Sequence, residues 1–341
     1  MVAEYFFREF SLTQQETLAR TISVYKGYLQ ILKASQALKG SMHWKKIKGK
    51  EYLYKYRDRY GNGESLGPRS EETETLYADF TRRRRELTAR LASQREQLAA
   101  ATRFCRAALI HRLPEMVIRI VHRLELSDLA KTPLMVIGPH ALHAFEFAAE
   151  VFIDTPKNAS FWADSAKRLT LAAATPIPPD HLLSLLRQAD RSFHPLPGEE
   201  FQAVNKTGFL VRLKGPPGLR TPTRTGRFDA SLPVVPVESG DLTALLSAPK
   251  FSQVVIGKRG TAATMTVPDP RSLALHQLWL SQQEDRDPAR RRTDRVQAMA
   301  LAELILRYLP QYDFFSSQLR LFPPEVARYA HGLVEGYEFE P

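Results

Sequence analysis

The chain has 341 residues, of which 43% are hydrophobic, and a formal net charge of +11 at pH 7. This length and composition are those of a globular protein with two or three domains, and the charge makes an acidic partner a candidate. The single cysteine, Cys105, excludes an intrachain disulfide and fits a reducing cytoplasm. No apolar run approaches the roughly 20 residues of a membrane span, and the N-terminus lacks a signal-peptide core. We therefore expect a soluble, cytoplasmic protein without a membrane partner.

The positive charge is concentrated near the N-terminus, where residues 1–60 hold 12 Lys or Arg and five Asp or Glu. A helix is predicted over residues 11–38, followed by a hairpin in which basic and aromatic residues alternate. Cations that neutralise phosphates beside rings that stack on bases are typical of single-strand binding. The other interpretation is a solvated hairpin whose alternate aromatic residues pack inward. The candidates to face nucleic acid or substrate are Lys45, Lys48, Arg57 and Arg69.

Helical periodicity dominates the next stretch. It predicts helices over residues 70–98, roughly 100–112 and 115–126. Four consecutive arginines, at residues 82–85, point around every side of a helix. At least one of them is therefore expected near a packed face. Residues 1–130 together are predicted to form an N-terminal domain, a basic hairpin joined to a helical arm.

A strand, a glycine turn and a helix are predicted between residues 134 and 150. The apolar run of residues 134–137 meets Gly138, and helical spacing of apolar residues follows. A helix N-terminus after such a turn holds phosphate in many folds, because backbone N–H groups and the helix dipole converge there. An ordinary strand-to-helix turn is the other interpretation. A second strand is predicted to end at Leu171.

The remaining elements alternate between helices, strands and loops. They are predicted as a short helix within 176–190, a strand over 201–213, a long surface loop over 214–237, a hairpin over 251–267 with its turn at 257–260, a helix over 272–281, a charged connector over 282–293 and a helix over 294–308. We assign residues 131–267 to an α/β core and residues 268–341 to a C-terminal helical region.

Six segments carry a resemblance that covers most of the chain in one order: MHWKKIKGKEYL at 42–53, SLGPRS at 65–70, VIGPHALHAFE at 136–146, ADRSF at 189–193, AVNKTGF at 203–209 and PDPRSLALHQLWLS at 268–281. They resemble the motifs of a bacterial nucleotidyltransferase-like family, a distant branch of the polymerase-β-type superfamily. The resemblance implies an α+β fold. It consists of a nucleotidyltransferase-type mixed sheet core, an N-terminal helical and basic arm, and a C-terminal helical region.

The resemblance also implies where catalytic carboxylates should stand. Nucleotidyl transfer uses two divalent metals, and the superfamily binds them with D-x-D on one strand and a third Asp on a neighbouring strand. In this chain the paired positions match Asn158 and Ser160, and the third matches Arg212. A guanidinium is permanently charged and does not bind a cation. The resemblance therefore implies a pseudoenzyme, and no metal and no cofactor are expected.

Two further departures from the family pattern point the same way. Pro139 has no N–H to offer a phosphate, and Gln277 replaces a lysine of the family. Histidines at 140, 143 and 276 match no metal-ligand spacing. The positions implied for nucleotide or phosphate binding are Gly138, Pro139, His140, Arg212 and Gln277.

Three hypotheses about function remain open. The first is a catalytically degenerate protein that binds a nucleotide, nucleic acid or an acidic partner in or beside the former cleft. The second is an active enzyme that uses Mg²⁺ or Mn²⁺ and an NTP to move an NMP onto RNA, protein or a small hydroxyl acceptor. Its candidate acids are Asp154, Asp164, Asp190, Glu199 and Glu200. The third is a structural subunit that docks on a protein or on DNA through its basic arm.

Overall fold

The computed structural model of the chain describes residues 5–38, 40–57, 62–127, 129, 134–156, 160–162, 165–175, 177, 179–197, 202–215 and 240–314. The strands in these residues are β1 (Phe6–Glu9), β2 (Ser41–Ile47), β3 (Lys50–Tyr56), β4 (Gly63–Pro68), β5 (Leu134–Ile137), β6 (Val151–Asp154), β7 (Arg168–Ala173), β8 (His194–Pro195), β9 (Gln202–Val204), β10 (Leu210–Lys214), β11 (Lys250–Ile256) and β12 (Ala262–Pro268). The helices are α1 (Leu12–Ala37), α2 (Glu71–Ala107), α3 (Glu115–Leu126), α4 (Pro139–Ala149), α5 (Pro179–Ala189), α6 (Gly240–Ser247), α7 (Pro270–Ser281) and α8 (Pro288–Tyr308).

The chain divides into two compact units. We call Glu16–Ala108 the arm unit, and Met1–Gln15 with Leu109–Pro341 the core unit. The sequence assigned residues 1–130 to an N-terminal domain, whereas in the structure β1 and α3 belong to the core unit. Strand β1 pairs antiparallel with β6, and α3 packs on β12 and α5. The long predicted loop over 214–237 lies almost wholly outside the described residues.

In the arm unit, β2, β3 and β4 form an antiparallel sheet whose buried centre is Met42 and Leu53, packed with Phe80 of α2. Helix α2 begins at Ser70, which forms a capping box with Thr73. It then continues unbroken for 37 residues. The predicted break near residue 100 is therefore wrong, because the stretch contains no proline or glycine that would end a helix.

The four arginines of α2 differ from their prediction. All of residues 82–85 are exposed, so none lies at a packed face. The buried positions of α2 include Phe80 and Leu91, and no residue between them is buried. The helix therefore makes no close packing over this turn, and long cationic side chains extend into solvent there.

Cys105 lies on the packed side of α2. Its side chain is fully buried, and its sulfur lies 3.1 Å from the Thr21 hydroxyl of α1. Burial raises the pKa of the Cys105 thiol above its ordinary value, although the contact with Thr21 opposes this. A buried thiol with a raised pKa is a packing group, because the nucleophilic form is the thiolate.

The core unit contains a five-stranded mixed sheet in the order β5-β7-β10-β9-β8. Only β7 and β10 are parallel; the other neighbours are antiparallel. The single strand predicted over 201–213 is two strands, β9 and β10, because the chain turns between them at residues 205–208. Asn205 Oδ1 accepts hydrogen bonds from the amides of Thr207 and Phe209, and Gly208 has φ +78°. Asparagine and glycine at these positions suit a tight turn.

Burial alternates along β7 and β10, as it does in a sheet with one core face. Leu169, Leu171, Val211 and Leu213 are buried. Their neighbours in sequence point to the other face and are half-buried: Arg168, Thr170, Leu210, Arg212 and Lys214. The sheet therefore has one apolar face and one face rich in cations.

The rest of the core unit covers the sheet with a hairpin and helices. Strands β11 and β12 pair antiparallel, with the predicted turn at residues 257–260, and pack against α3, α4 and β5. Helices α7 and α8 pack against each other. Helix α8 starts at Pro288, within the predicted charged connector, because Asp287 caps it by accepting from the amide of Arg290.

Candidate functional site

The turn between β5 and α4 lies beside the start of β7. Gly138 has φ +76°, which favours glycine, and Pro139 occupies the first turn of α4. His140 is only 2% exposed, and its Nε2 lies 3.0 Å from the carbonyl oxygen of Arg168. This contact joins the predicted phosphate turn to the edge of the sheet where β7 begins.

We call the cation-rich surface of β7 and β10 the basic sheet face (Arg168, Thr170, Leu210, Arg212 and Lys214). In the parallel register, Arg212 lies beside Thr170, and Leu210 lies beside Arg168. Neighbouring residues in register project to the same side, so two guanidiniums and one ammonium share this face. Arg212 therefore stands in the middle of a cationic surface.

An acid on α8 is electrostatically linked to this face. Asp294 is buried and forms an ion pair with Arg286 at 2.5 Å. Burial raises the pKa of Asp294, while Arg286, Arg290 and Lys214 each act to lower it. Sequence reasoning missed Asp294 and its two arginines. A usable signal was the spacing of four residues between Arg290 and Asp294, which places these two side chains near one another on a helix, whereas Arg286 precedes the helix.

The positions implied for metal ligands can be compared with the structure. Asn158 lies outside the described residues, and Ser160 belongs to a short 3₁₀ turn (Ser160–Trp162), not to a strand. Arg212 brings a cation to the third position. Among the described residues, no group of three or more His, Cys, Asp or Glu is placed to hold a metal ion.

A second cluster of charges lies where α4 meets β6, and we call it the acid network (Arg8, Arg112, His143, Glu146 and Asp154). Glu146 is fully buried. Its carboxylate accepts hydrogen bonds from the Ile153 amide at 2.7 Å and from His143 Nδ1 at 2.6 Å. Arg112 lies 4.0 Å from the same carboxylate. A buried carboxylate with these partners is a structural group.

Asp154 closes the acid network at the end of β6. It forms ion pairs with Arg8, at 2.7 Å, and with Arg112. Burial acts to raise the pKa of Asp154, but hydrogen bonds and charge from the two guanidiniums outweigh it, and the pKa is lowered. Both guanidiniums also lie over the Phe152 ring, at 4.6 and 4.1 Å from its centroid. The carboxylate of Asp154 is therefore already paired with two cations.

Residues 160–162 connect the acid network to the C-terminal helices. The Trp162 ring stacks on His143 with centroids 4.6 Å apart and an interplanar angle of 5°. The Phe161 carbonyl accepts a hydrogen bond from Gln297, which in turn accepts one from Gln277 at 2.9 Å. Gln277 is 3% exposed, so the structure places it in a buried amide chain. Its predicted contact with a phosphate stays a prediction.

Asp190, another acid considered for catalysis, lies in the turn after α5. It accepts hydrogen bonds from the amide and hydroxyl of Ser192, at 2.9 and 2.8 Å, and from Asn205 at 3.1 Å. These hydrogen bonds lower the pKa of Asp190, and the bond from the Ser192 amide contributes most. The other acids considered, Asp164, Glu199 and Glu200, lie outside the described residues.

The candidate nucleic-acid residues of the hairpin lie in the arm unit. Arg69 pairs with Glu51 at 2.5 Å and with Glu74 at 2.7 Å. These carboxylates raise the pKa of the Arg69 guanidinium, and the hydrogen bond to Glu74 contributes most. Arg57 lies 3.6 Å from Glu64, and Lys48 is in the turn between β2 and β3. The role of these cations stays a prediction.

The aromatic residues of the hairpin divide between its two faces. Trp44 packs inward on Tyr77 of α2, with ring centroids 5.9 Å apart. On the opposite face, the rings of Tyr54 and Tyr56 stack at 6.0 Å, and the Lys45 ammonium lies 5.4 Å from the Tyr54 centroid. The inward packing expected for a solvated hairpin therefore holds for Trp44 and not for these two tyrosines.

The described structure is an α+β protein with a mixed sheet in its core unit. A model of a nucleotidyltransferase family matches residues 115–320, which is more than half of the chain. The chain therefore belongs to this nucleotidyltransferase family, and the predicted fold class is confirmed. No curated protein and no solved structure matches it. None of the helices in the described ranges is long and apolar enough to cross a membrane.

Proposed function

We propose that the chain is a degenerate nucleotidyltransferase that binds the phosphates of a nucleotide on its basic sheet face without a metal. The observation that carries this proposal is Arg212, which lies in the middle of β10, beside Thr170 of β7. The resemblance puts the third catalytic aspartate at this position. A cation there reverses the charge of the site, so the face suits an anion directly.

The chemistry of the face supports phosphate as the anion. A guanidinium presents a planar fork of N–H donors that matches phosphate oxygens. Arg168 and Lys214 add two further cations on the same side of the sheet. All three side chains are half-buried, where charge interactions are stronger than in bulk water. In an active enzyme the metal ions would supply this positive charge.

The turn before α4 contributes less to such binding than it does in phosphate-binding loops. The helix N-terminus still brings a partial positive charge. Pro139 has no amide hydrogen, however, and the amide of Ala141 donates to the Gly138 carbonyl at 3.0 Å. Side-chain cations are therefore the main source of affinity in this proposal.

Calorimetric titration with ATP, GTP, CTP and UTP in the presence of EDTA tests the proposal. The native chain is expected to bind nucleotide without metal, and Arg212→Ala to weaken binding by about tenfold or more, the effect of removing one charge-assisted hydrogen bond. Arg259→Ala is the matched control, because Arg259 is exposed in the turn between β11 and β12. Native chain that binds no phosphate compound would refute the proposal.

The active enzyme remains the alternative, and a labelling reaction separates the two. Native chain is incubated with labelled NTPs, Mg²⁺ or Mn²⁺ and total RNA. A variant with aspartate at all three family positions, Asn158→Asp/Ser160→Asp/Arg212→Asp, is run in parallel. Label transferred by the native chain establishes an enzyme and overturns the degenerate assignment. Silence with nucleotide binding retained supports it, and more strongly if the restored variant gains activity.

A further inference from the structure

A second cationic surface lies in the core unit, on elements other than β7 and β10. It is an open groove of about 700 Å³, lined mainly by cations from α3, from α5 and from the two turns that flank β8 and β9: Arg119, Arg123, Arg187, Arg191 and Lys206. Asp190 is the one acid among the described lining residues. We call this surface the arginine groove.

Two turns build the floor of the arginine groove. Asp190 accepts from Ser192 and Asn205, and the Ser192 hydroxyl accepts from the amide of Lys206 at 3.1 Å. These bonds join the ADRSF and AVNKTGF segments, so that Arg191 and Lys206 project from one rigid platform. Arg191 and Lys206 lie outside the basic sheet face, so the cations of the two motifs need another explanation.

Two of the arginines are oriented by hydrogen bonds. Arg119 donates to the carbonyl of Ala189, and Arg187 Nε donates to the carbonyl of Phe193 at 3.0 Å. Each guanidinium keeps further N–H donors for a ligand, since it has five in total. Because these guanidinium groups are held in place in the free protein, less conformational entropy is lost when a ligand binds.

The groove also differs from the other charged regions in its counter-charges. Arg69, Arg112 and Arg286 each lie within 4.0 Å of a carboxylate. No described carboxylate lies within that distance of the five groove cations. Asp190, the one acid among the described lining residues, already accepts three hydrogen bonds and also interacts electrostatically with Lys206. The groove therefore carries an excess of positive charge that an external anion would neutralise.

We infer that the arginine groove binds the phosphodiester backbone of single-stranded nucleic acid. Arginine-rich surfaces suit phosphates, and an open groove suits a chain better than an enclosed small molecule. An acidic peptide would also need an apolar or aromatic anchor, which tight protein interfaces use. Ala189 is the one apolar residue among the described lining residues, and none of them is aromatic. Binding at this groove does not depend on nucleotide binding at the basic sheet face.

Fluorescence anisotropy with a labelled oligouridylate, measured across a salt series, tests the inference. The triple variant Arg123→Ala/Arg191→Ala/Lys206→Ala removes three cations for which no hydrogen bond or ion pair through the side chain is described. Binding is expected to weaken more than tenfold, and the slope of log affinity against log salt to fall by about 0.7 for each phosphate that is no longer neutralised. Circular dichroism checks that the variant is folded.

A matched control removes the same number and kind of charges elsewhere in the core unit. Lys258, Arg259 and Arg295 are exposed, and Lys258→Ala/Arg259→Ala/Arg295→Ala should keep most of the affinity. Equal losses in the two triple variants would overturn the groove as a site and leave only net charge. A loss confined to the hairpin variant Lys45→Ala/Arg57→Ala would also overturn it. Tighter binding of polyglutamate than of oligouridylate would point to an acidic protein instead.

Discussion

The acid network and the basic sheet face are both clusters of charge in the core unit, but they handle charge in opposite ways. In the acid network, every carboxylate is met by cations or N–H donors within the fold, and Glu146 has no exposed surface. On the basic sheet face, Arg168, Arg212 and Lys214 are half-buried along one side of the sheet. The first arrangement pairs its acids with cations and donors inside the fold, whereas the second brings three cations to one side of the sheet.

The difference bears on whether the carboxylates of the acid network could bind a catalytic metal ion. A metal ligand needs carboxylate oxygens that are free to take a cation. Asp154 already forms ion pairs with two guanidiniums. Glu146 accepts hydrogen bonds from an amide and an imidazole, and Arg112 lies 4.0 Å from it. We infer that the acids of the acid network are structural, and the proposed function assigns ligand binding to the cations of the basic sheet face.

The largest effect is expected from Glu146→Ala in the acid network. The change leaves the Ile153 amide, His143 and Arg112 without their shared acceptor in a buried setting. Removing one partner of a buried charge cluster costs about 3–5 kcal/mol, so we expect a loss of this size in the free energy of unfolding. Urea denaturation monitored by circular dichroism measures it.

The exposed Glu284→Ala, in the connector before α8, is the matched control and should change stability by less than about 0.5 kcal/mol. If Glu146→Ala were as harmless as this control, the carboxylate would not be a structural group. The contrast between the two charged regions would then lose its main support.

A smaller and pH-dependent effect is expected from Asp154→Asn. The pKa of Asp154 is lowered in the folded chain, so its ionised form contributes stability above the unfolded pKa of about 3.9. That contribution disappears as the pH falls through the folded pKa. We expect the variant to be less stable than the native chain by roughly 1–3 kcal/mol at pH 7, and the difference to shrink below about pH 4. Urea unfolding at several pH values measures both.

Asp294→Asn provides a contrast of opposite sign. Burial raises the pKa of Asp294, so the folded chain binds a proton here more readily than the unfolded chain does. The native chain should therefore gain stability relative to this variant as the pH falls through the raised pKa. The same pH trend for both variants would contradict the assigned directions.

Local patterns in the sequence predicted much of the fold. The β5–α4 turn and α3 follow from apolar periodicity and glycine, and the β11–β12 hairpin follows from its turn residues. Local patterns did not predict that α2 is continuous, or that β9 and β10 are two separate strands. Helix α2 is one helix where two were predicted, and at Asn205 the side chain builds a turn inside an apparently continuous strand.

The candidate site was only partly predictable, for a different physical reason. Arg212 was identified through the resemblance, and its register beside Thr170 places it within a cationic face. The acid network depends on contacts far apart in sequence, such as Arg112 with Asp154, 42 residues away. The periodicity of apolar residues in the sequence gives no sign of such a pair. The arginine groove likewise gathers residues from three separate segments.

Among the charged-cluster variants, the smallest effect on stability is expected from Arg212→Ala, and this result would sharpen the comparison most. The side chain is half-buried and shares one side of the sheet with Arg168 and Lys214, so its removal also lowers the like charge on that side. We expect a change within about 1 kcal/mol in urea unfolding, because the loss of packing and the relief of repulsion have opposite signs. Nucleotide binding without metal should fall in the same variant.

Glu146→Gln completes the pair as a milder change in the acid network, since the amide oxygen still accepts from Ile153. It should lower stability and retain nucleotide binding at a temperature where it is folded. Arg212→Ala should do the reverse. If Arg212→Ala unfolded the chain as Glu146→Ala is expected to, the basic sheet face would be part of the structural scaffold. Its cations would then have a role in folding, and the proposed phosphate site would lose its basis.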